Sequence, residues 1–323
     1  MPAQPRVVPR ALEPGDRVAV VAPSAPVPAE RLAGGVALLR SWGLDVVVGR
    51  HVGRTAHEGM LAGTDDERAA DLQEAWTDPS ISAVCCARGG YGAGRLLAHL
   101  DWEALAQATP KTLLGSSDVT ALHEAWARRL GVATVFGPMP ATELLGEQPP
   151  QPESAAALHA MLFDGEPAVL PTTDVISPPT AAHTQIAAPL VGGTISLLAA
   201  SLGTEFSVSA DGAIVFLEDV GEVPYRIDRL LTQLRTAGWF AGARAVVVGS
   251  LFECGDPAVL RAVMADRLGD LGVPVLAGLE VGHGAVQRSL LLGGLARLDP
   301  LAGTLTVSGL DPDRKFPSDH AKK

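Results

Sequence analysis

Cysteine is scarce in this chain of 323 residues: Cys85, Cys86 and Cys254 are the full set, with no CxxC spacing among them. That excludes a disulfide framework and a zinc site of the usual spacing, and leaves buried thiols as the expectation. Positive charge is also short. Lys and Arg number 25 against 36 Asp and Glu, a formal net charge of −11. A nucleic-acid binder needs a basic face for the phosphates, so that class of partner is not expected. No apolar run reaches the roughly 18 residues of a membrane span. The start, MPAQPRVVPR, lacks the apolar segment of a secretory signal. The cytoplasm is therefore the expected compartment, with no membrane partner.

What is present is apolar. Hydrophobic residues make up 47% of the chain, enough for a sizeable core, and the length suggests two domains. DRVAVVAP (16–23) is Val-rich without alternation, as a buried parallel strand should be. A loop (24–29), a helix (30–42) ended by Gly43 and a second strand (44–48) complete a βαβ unit. Thr64 caps the next helix, and Asp65, Asp66 and Glu67 fill its first turn. The strand ISAVCCA (81–87) runs into RGGYGAGRLLAHL. These glycines fit neither G-x-G-x-x-G nor a P-loop, so no cofactor is expected. Crowded at a strand end, they allow close backbone approach or anion binding, or simply a tight turn against a helix. Arg88 and Tyr91 could serve a carboxylate-bearing substrate or pack that turn.

KTLLGSSDVTALH (111–123) reads as a strand handing over to a helix (118–130) through a tight turn. A serine at such a turn is displayed at the mouth of the sheet, which makes Ser117 a candidate nucleophile. The alternative is an ordinary N-cap. With a further strand at 132–136, residues 1–164 form an α/β domain with a mostly parallel sheet and flanking helices. Its ligands belong at the carboxyl ends of the strands, where residues 88–94 and 115–118 both lie. Pro-rich residues 165–185 read as a linker. Residues 186–323 read as a smaller C-terminal α/β domain, with strands at 212–220 and 273–279, helices at 224–237 and 257–269, and hairpin-like strands in the tail. The last thirteen residues are polar and expected to be loosely held.

A serine nucleophile needs a base, and the base needs an orienting group. His99, His123 and His159 lie in helical patterns, where solvated or capping roles are expected. His51 and His183 are weaker competitors. His283 stands between two glycines in GLEVGHGAV, just beyond a strand, and is the best candidate base. For the acid, Glu218 and Asp219 end a strand and Glu222 follows in a turn; alternation does not choose among them. The order Ser–acid–His is also that of α/β-hydrolases, but Val119 replaces the second glycine of G-x-S-x-G and no HGGG-type stretch is present.

Across nearly the whole length the chain resembles the LD-carboxypeptidase family of serine peptidases, which includes muramoyl-tetrapeptide carboxypeptidases and microcin C self-immunity hydrolases. The matching segments, in order, are GDRVAVVAPSAPV (15–27), LAGTDDERAADL (61–72), ARGGYGAGRLL (87–97), LLGSSDVTALH (113–123), LVGGTISLLAASLGT (190–204), FLEDVGEVPYRIDRLLTQL (216–234) and GLEVGHG (278–284). The resemblance implies Ser117 as nucleophile, Glu218 as acid and His283 as base. It implies the backbone N–H groups of Gly90 and Asp118 as the oxyanion hole, with Arg88, Tyr91 and Ser116 around the substrate. It also implies a triad split across two domains, no metal or cofactor, and a homodimer. Two positions depart from the family: Ser116 stands where an aromatic residue is usual, and Thr194 where Asn is usual. The implied reaction is hydrolysis of the L,D-amide bond to the terminal D-alanine of a murein tetrapeptide, through an acyl-enzyme. A related alternative is cleavage of a peptidyl- or aminoacyl-nucleotide amide. A third reading, from another class, is a catalytically silent small-molecule binding protein; a wide separation of the three residues would favour it.

Overall fold

In the computed structural model, which describes residues 6–177 and 185–311, the Val-rich runs become strands covered on both faces. β1 (Arg17–Val21) and β2 (Asp45–Val48) pair in parallel, with the helix Ala29–Ser41 between them. β3 (Ile81–Cys86) is buried at every position, as it must be where helices cover both faces of a parallel sheet. The preceding helix, Asp65–Thr77, opens with a capping box. The Thr64 hydroxyl accepts from the Glu67 amide at 3.2 Å, and the Glu67 carboxylate accepts from the Thr64 amide at 3.0 Å. β4 (Thr112–Gly115) and β5 (Thr134–Phe136) follow. The order β2-β1-β3-β4-β5 is parallel throughout. Chain direction across the sheet reverses between β1 and β3, which opens a crevice outside their carboxyl ends.

The helix expected over 118–130 is built in three pieces. A 3₁₀ turn (Ser117–Val119) leads into an α-helix (Thr120–Ala125) and then a π turn (Trp126–Leu130). The fully buried Trp126 packs edge-on against Trp76 and Trp102, with ring centroids 5.2 and 5.6 Å away.

Residues 165–185 are more than a connection. Their described part supplies β6 (Ala168–Pro171) and β7 (Asp174–Ser177). β8 (Ile186–Thr194), β9 (Ile214–Val220), β10 (Ala245–Phe252) and β11 (Val275–Ala277) are mutually parallel. The tail contributes β12 (Leu290–Leu292), β13 (Leu295–Asp299) and β14 (Thr304–Val307). The second sheet runs β6-β14-β13-β8-β9-β10-β11-β7, so the segment 165–185 edges it on both sides. With eight strands, it is the larger of the two sheets.

The hairpin expected in the tail is β13–β14. β12 behaves differently: it crosses to the first domain and pairs antiparallel with β5, Leu290 opposite Phe136 and Leu292 opposite Thr134. All three of its leucines are buried. The first sheet therefore has six strands, one of them donated by the second domain. The cores meet as well, with Phe136 and Phe216 edge-on at 5.2 Å. Of the last thirteen residues, Asp311 forms a bridge with Arg10; residues 312–323 lie outside the described residues.

Candidate active site

β4 ends in a turn that bends hard at one residue. Ser117 has φ 60°, the left-handed region that residues with a Cβ rarely occupy. Such strain lifts a side chain off the end of the strand. The helix that follows starts without a side-chain cap, so the simple cap alternative is not realised there. Asp118 is buried and caps a different element: one carboxylate oxygen accepts from the Ser24 hydroxyl at 2.6 Å and from the Ala93 amide at 2.7 Å. It thereby ties the loops after β1, β3 and β4 together. The Gly89 backbone packs directly on this turn. A Cβ there would stand 2.8 Å from the Ser117 Cβ and 3.4 Å from the Asp118 nitrogen.

His123 is neither solvated nor a cap, as its helical position suggested. It is buried, with Nε2 3.0 Å from the Gly115 carbonyl and Nδ1 2.9 Å from the Thr134 hydroxyl. Burial pushes its pKa down to about 4, so it stays neutral and braces β4 against β5.

The end of β9 separates the candidate acids. Successive side chains on a strand point to opposite faces. Glu218 is fully buried, and its Oε2 lies 2.8 Å from His283 Nδ1 and 3.2 Å from the His283 backbone N. Its Oε1 accepts from the Thr194 hydroxyl. Asp219 turns the other way and accepts from the Ser196 amide at 2.8 Å and the Val220 amide at 2.9 Å. Burial raises Asp219 to about 6. Glu222 pairs with Arg226 at 3.5 Å on the surface.

His283 sits in the loop between β11 and β12. Gly282 (φ 100°) lets that loop lie directly over the acid, since a Cβ there would be 2.5 Å from Glu218 Oε2. The Ser250 hydroxyl donates to the His283 carbonyl and anchors the loop to β10. Burial alone would lower the imidazole pKa, but the hydrogen bond and charge of Glu218, with the charge of Asp219, outweigh it; the net shift is upward.

Ser117 and His283 line one cavity of about 670 Å³, with Arg88, Gly90 and Ser116 in its wall and Arg31 at its rim. Arg88 is half-buried and donates to the Pro26 carbonyl at 3.2 Å; it forms no ion pair among the described residues. Tyr91 is not brought into this wall. It is 54% exposed and stands beside Arg95. Of the competing histidines, His51 pairs with Asp71 at 2.8 Å, His99 pairs with Asp66 at 2.7 Å, and His159 stacks on Phe163. His183 lies outside the described residues. A second cavity, of about 610 Å³, opens beside Trp102 and Phe206 and holds none of the expected site residues.

The chemistry in that wall is a hydroxyl on a strained turn, facing the same space as an imidazole backed by a buried carboxylate. On an open α/β sheet this is the apparatus of a serine hydrolase. Comparison with known proteins narrows the class. Models of the LD-carboxypeptidase N-terminal and C-terminal domains match residues 18–137 and 187–298. The chain belongs to the LD-carboxypeptidase family and is a serine peptidase. It is 48% identical to a putative carboxypeptidase of Streptomyces coelicolor, over 93% of this chain and 96% of the relative. It is 35% identical to the murein tetrapeptide carboxypeptidase of Pseudomonas aeruginosa, over 88% of this chain and 93% of that protein. The crystal structure of muramoyltetrapeptide carboxypeptidase from Oxalobacter formigenes superposes with a TM-score of 0.79 at 29% identity, covering 92% of this chain and 99% of that one.

The sequence names Thr194 only as a departure from the family, and Gly282 only as a flank that displays His283; the contact each makes with Glu218 is seen in the structure. A signal was available for both. Paired glycines before a polar residue at a strand end, and a glycine before a displayed histidine, each mark a close approach.

Proposed function

We propose that the protein is a carboxypeptidase that removes the terminal D-alanine from murein tetrapeptides, with Ser117 as nucleophile, His283 as base and Glu218 as the orienting acid. The observation that carries the reading is the Glu218–His283 contact in the wall of the cavity that Ser117 also lines. With Nδ1–H given to Glu218, the other ring nitrogen is left to take the proton from the Ser117 hydroxyl as it attacks the amide carbonyl. The amides of Gly90 and Asp118 stabilise the developing oxyanion; the close packing of Gly89 on the Ser117 turn supports this pairing. His283 then protonates the leaving amine of D-alanine. Water resolves the acyl-enzyme by the same route.

The terminal carboxylate of the substrate meets Arg88, a cation in the cavity wall with no acidic partner among the described residues. The activities named for the relatives from Pseudomonas and Oxalobacter support the same substrate class. A nucleotide leaving group would favour an aromatic platform for its base. Apart from His283, Phe252 is the one aromatic side chain among the described residues of this wall, and it is 47% exposed. A homodimer in the cytoplasm goes with this reading on family grounds and is checked by sedimentation and fractionation.

The test is D-alanine release from a murein tetrapeptide, run beside hydrolysis of a peptidyl-sulfamoyl adenosine. The tetrapeptide should be the better substrate, and Ser117→Ala should lower the rate by several orders of magnitude. A loss of less than about tenfold removes Ser117 from the chemistry. Preference for the nucleotide conjugate overturns the substrate assignment.

A further inference from the structure

Thr194 is the last residue of β8, opposite Glu218 in the parallel register, and it is also the N-cap residue of the helix Ile195–Ser201. A threonine at that position ordinarily turns its hydroxyl onto an amide of the first turn. This one does not: the helix has no side-chain cap from Thr194, and Asp219 accepts from the Ser196 amide in its place. The hydroxyl is thereby released for another partner. It is buried (2% exposed) and donates to Glu218 Oε1.

Besides Glu218, two groups surround that hydroxyl. The Thr120 hydroxyl donates to it at 3.4 Å, while accepting from the Thr194 amide at 3.1 Å; the Ser117 carbonyl also lies 3.4 Å away. A hydroxyl has one proton to give, and the carboxylate oxygen, the strongest acceptor beside it, takes it. Hydrogen bonds therefore run in one direction, from Thr120 in the nucleophile domain, through Thr194, to the acid in the second domain. The bare α-carbon of Gly193 permits this approach, since a Cβ there would meet the Thr120 side chain at 2.7 Å.

We propose that Thr194 is a positioning residue for catalysis: its hydroxyl holds the Glu218 carboxylate with Oε2 turned to His283, and couples the acid to the Ser117 turn. The proposal rests on the triad reading above. Glu218 has its two oxygens engaged on opposite sides, Oε1 by Thr194 and Oε2 by His283. Without the hydroxyl, Oε1 is left buried and unpartnered. The charged and titratable groups around the pair are few. Asp219 is next on β9, Cys254 is buried close enough to feel both acids, and Arg88 lies across the cavity. None of them can donate to Oε1 in place of Thr194 without a rearrangement of the strand end.

Thr194→Val keeps the branched shape and removes the hydroxyl. It should lower kcat/KM on the tetrapeptide by tenfold or more, the usual scale for a hydrogen bond to a buried charge. The loss should fall on kcat rather than KM. The acidic limb of the pH profile should move down toward 6.5, because the Glu218 contact that holds the His283 imidazole above its ordinary value is no longer fixed in place. Thr194→Ser should restore both rate and limb. An unmoved limb, or Thr194→Ser behaving like Thr194→Val, overturns the proposal. If Thr194→Val does not fold, Thr194→Ala against Thr194→Ser makes the same comparison. Ser117→Ala separates the two readings. If it is inactive while Thr194→Val matches the parent, only the positioning role fails; if it stays active, the triad reading itself fails.

Discussion

Glu218 Oε2 meets two hydrogen-bond donors of one residue, the ring Nδ1 of His283 at 2.8 Å and its backbone N at 3.2 Å. The carboxylate thus fixes both the imidazole tautomer and the path of the loop that carries it. Against the lowering by burial, its hydrogen bond and its charge, with that of Asp219, raise the imidazole pKa above the ordinary 6.5. In the proposed mechanism His283 acts as the neutral ring, so kcat/KM should rise with pH along an acidic limb centred above 6.5. A profile from pH 5 to 9 reads this directly, and a limb at or below 6.5 contradicts it. The stability term has the matching sign. A raised folded-state pKa contributes stability below the unfolded value, and that contribution is lost as pH rises through the folded one.

Glu218→Gln should retain the contact with Thr194 but remove the charge that favours imidazolium. kcat should fall on the order of a thousandfold or more, as when the acid of a serine triad is made neutral. Any residual acidic limb should shift down. Active-site titration with a slow acylating substrate would distinguish a catalytic loss from loss of folded protein.

Gly282→Ala places a Cβ 2.5 Å from Glu218 Oε2 at a φ of 100°. The loop must move off the acid to accept it. Activity should drop at least tenfold, and the unfolding midpoint should fall by less than that loss implies, since Gly282 is buried beside Val281 of the core but touches the site through Glu218. Parallel rate and urea-unfolding measurements check the split; equal damage to both would show that the residue is mainly structural.

Asp118→Ala deletes the acceptor of the Ser24 hydroxyl and the Ala93 amide, both buried. The expected cost is about 2–3 kcal/mol, in the range for orphaned partners of a buried carboxylate. Thermal unfolding should show it as a lower midpoint. Because this carboxylate ties the loop after β3 to the Ser117 turn, kcat should fall as well.

Glu124 is buried behind the site, on the helix Thr120–Ala125. One oxygen accepts from the Val208 amide at 3.0 Å, and the other has no partner among the described residues. Burial raises it to about 7. A carboxyl with a raised folded pKa binds its proton more tightly when folded, so its contribution is present below about 4.5 and is lost as pH rises toward 7. Glu124→Gln should leave stability unchanged near pH 4.5 and increase it at pH 8, by on the order of 2–3 kcal/mol. Denaturant midpoints at the two pH values test the sign.

The strand-turn-helix at Ser117 was legible because its cause is local: an apolar run, a glycine and a polar turn lie within a few residues. His283 was legible for the same reason, through its flanking glycines. The choice of Glu218 over Asp219 was not, because both end one strand and only the position of the β11–β12 loop decides which face meets the imidazole. Tyr91 shares a segment with Arg88, yet the backbone reverses at Gly90 (φ 119°) and Gly92 (φ 113°) and leaves its ring in solvent. Residues 165–185 looked like a linker because proline interrupts them. Pro171 closes β6, an edge strand, where a missing N–H costs nothing to the ladder. The pairing of β12 with β5 joins segments about 155 residues apart, and no local pattern encodes it.

That pairing sets an order of events during synthesis. When the first domain has emerged from the ribosome, β5 is still an open edge, with unpaired backbone groups along it. The strand that covers it, β12, is made only after nearly all of the second domain. The two halves therefore cannot mature independently. The first sheet is completed by the stretch of chain that directly follows His283, so its edge is covered only after that residue has been made.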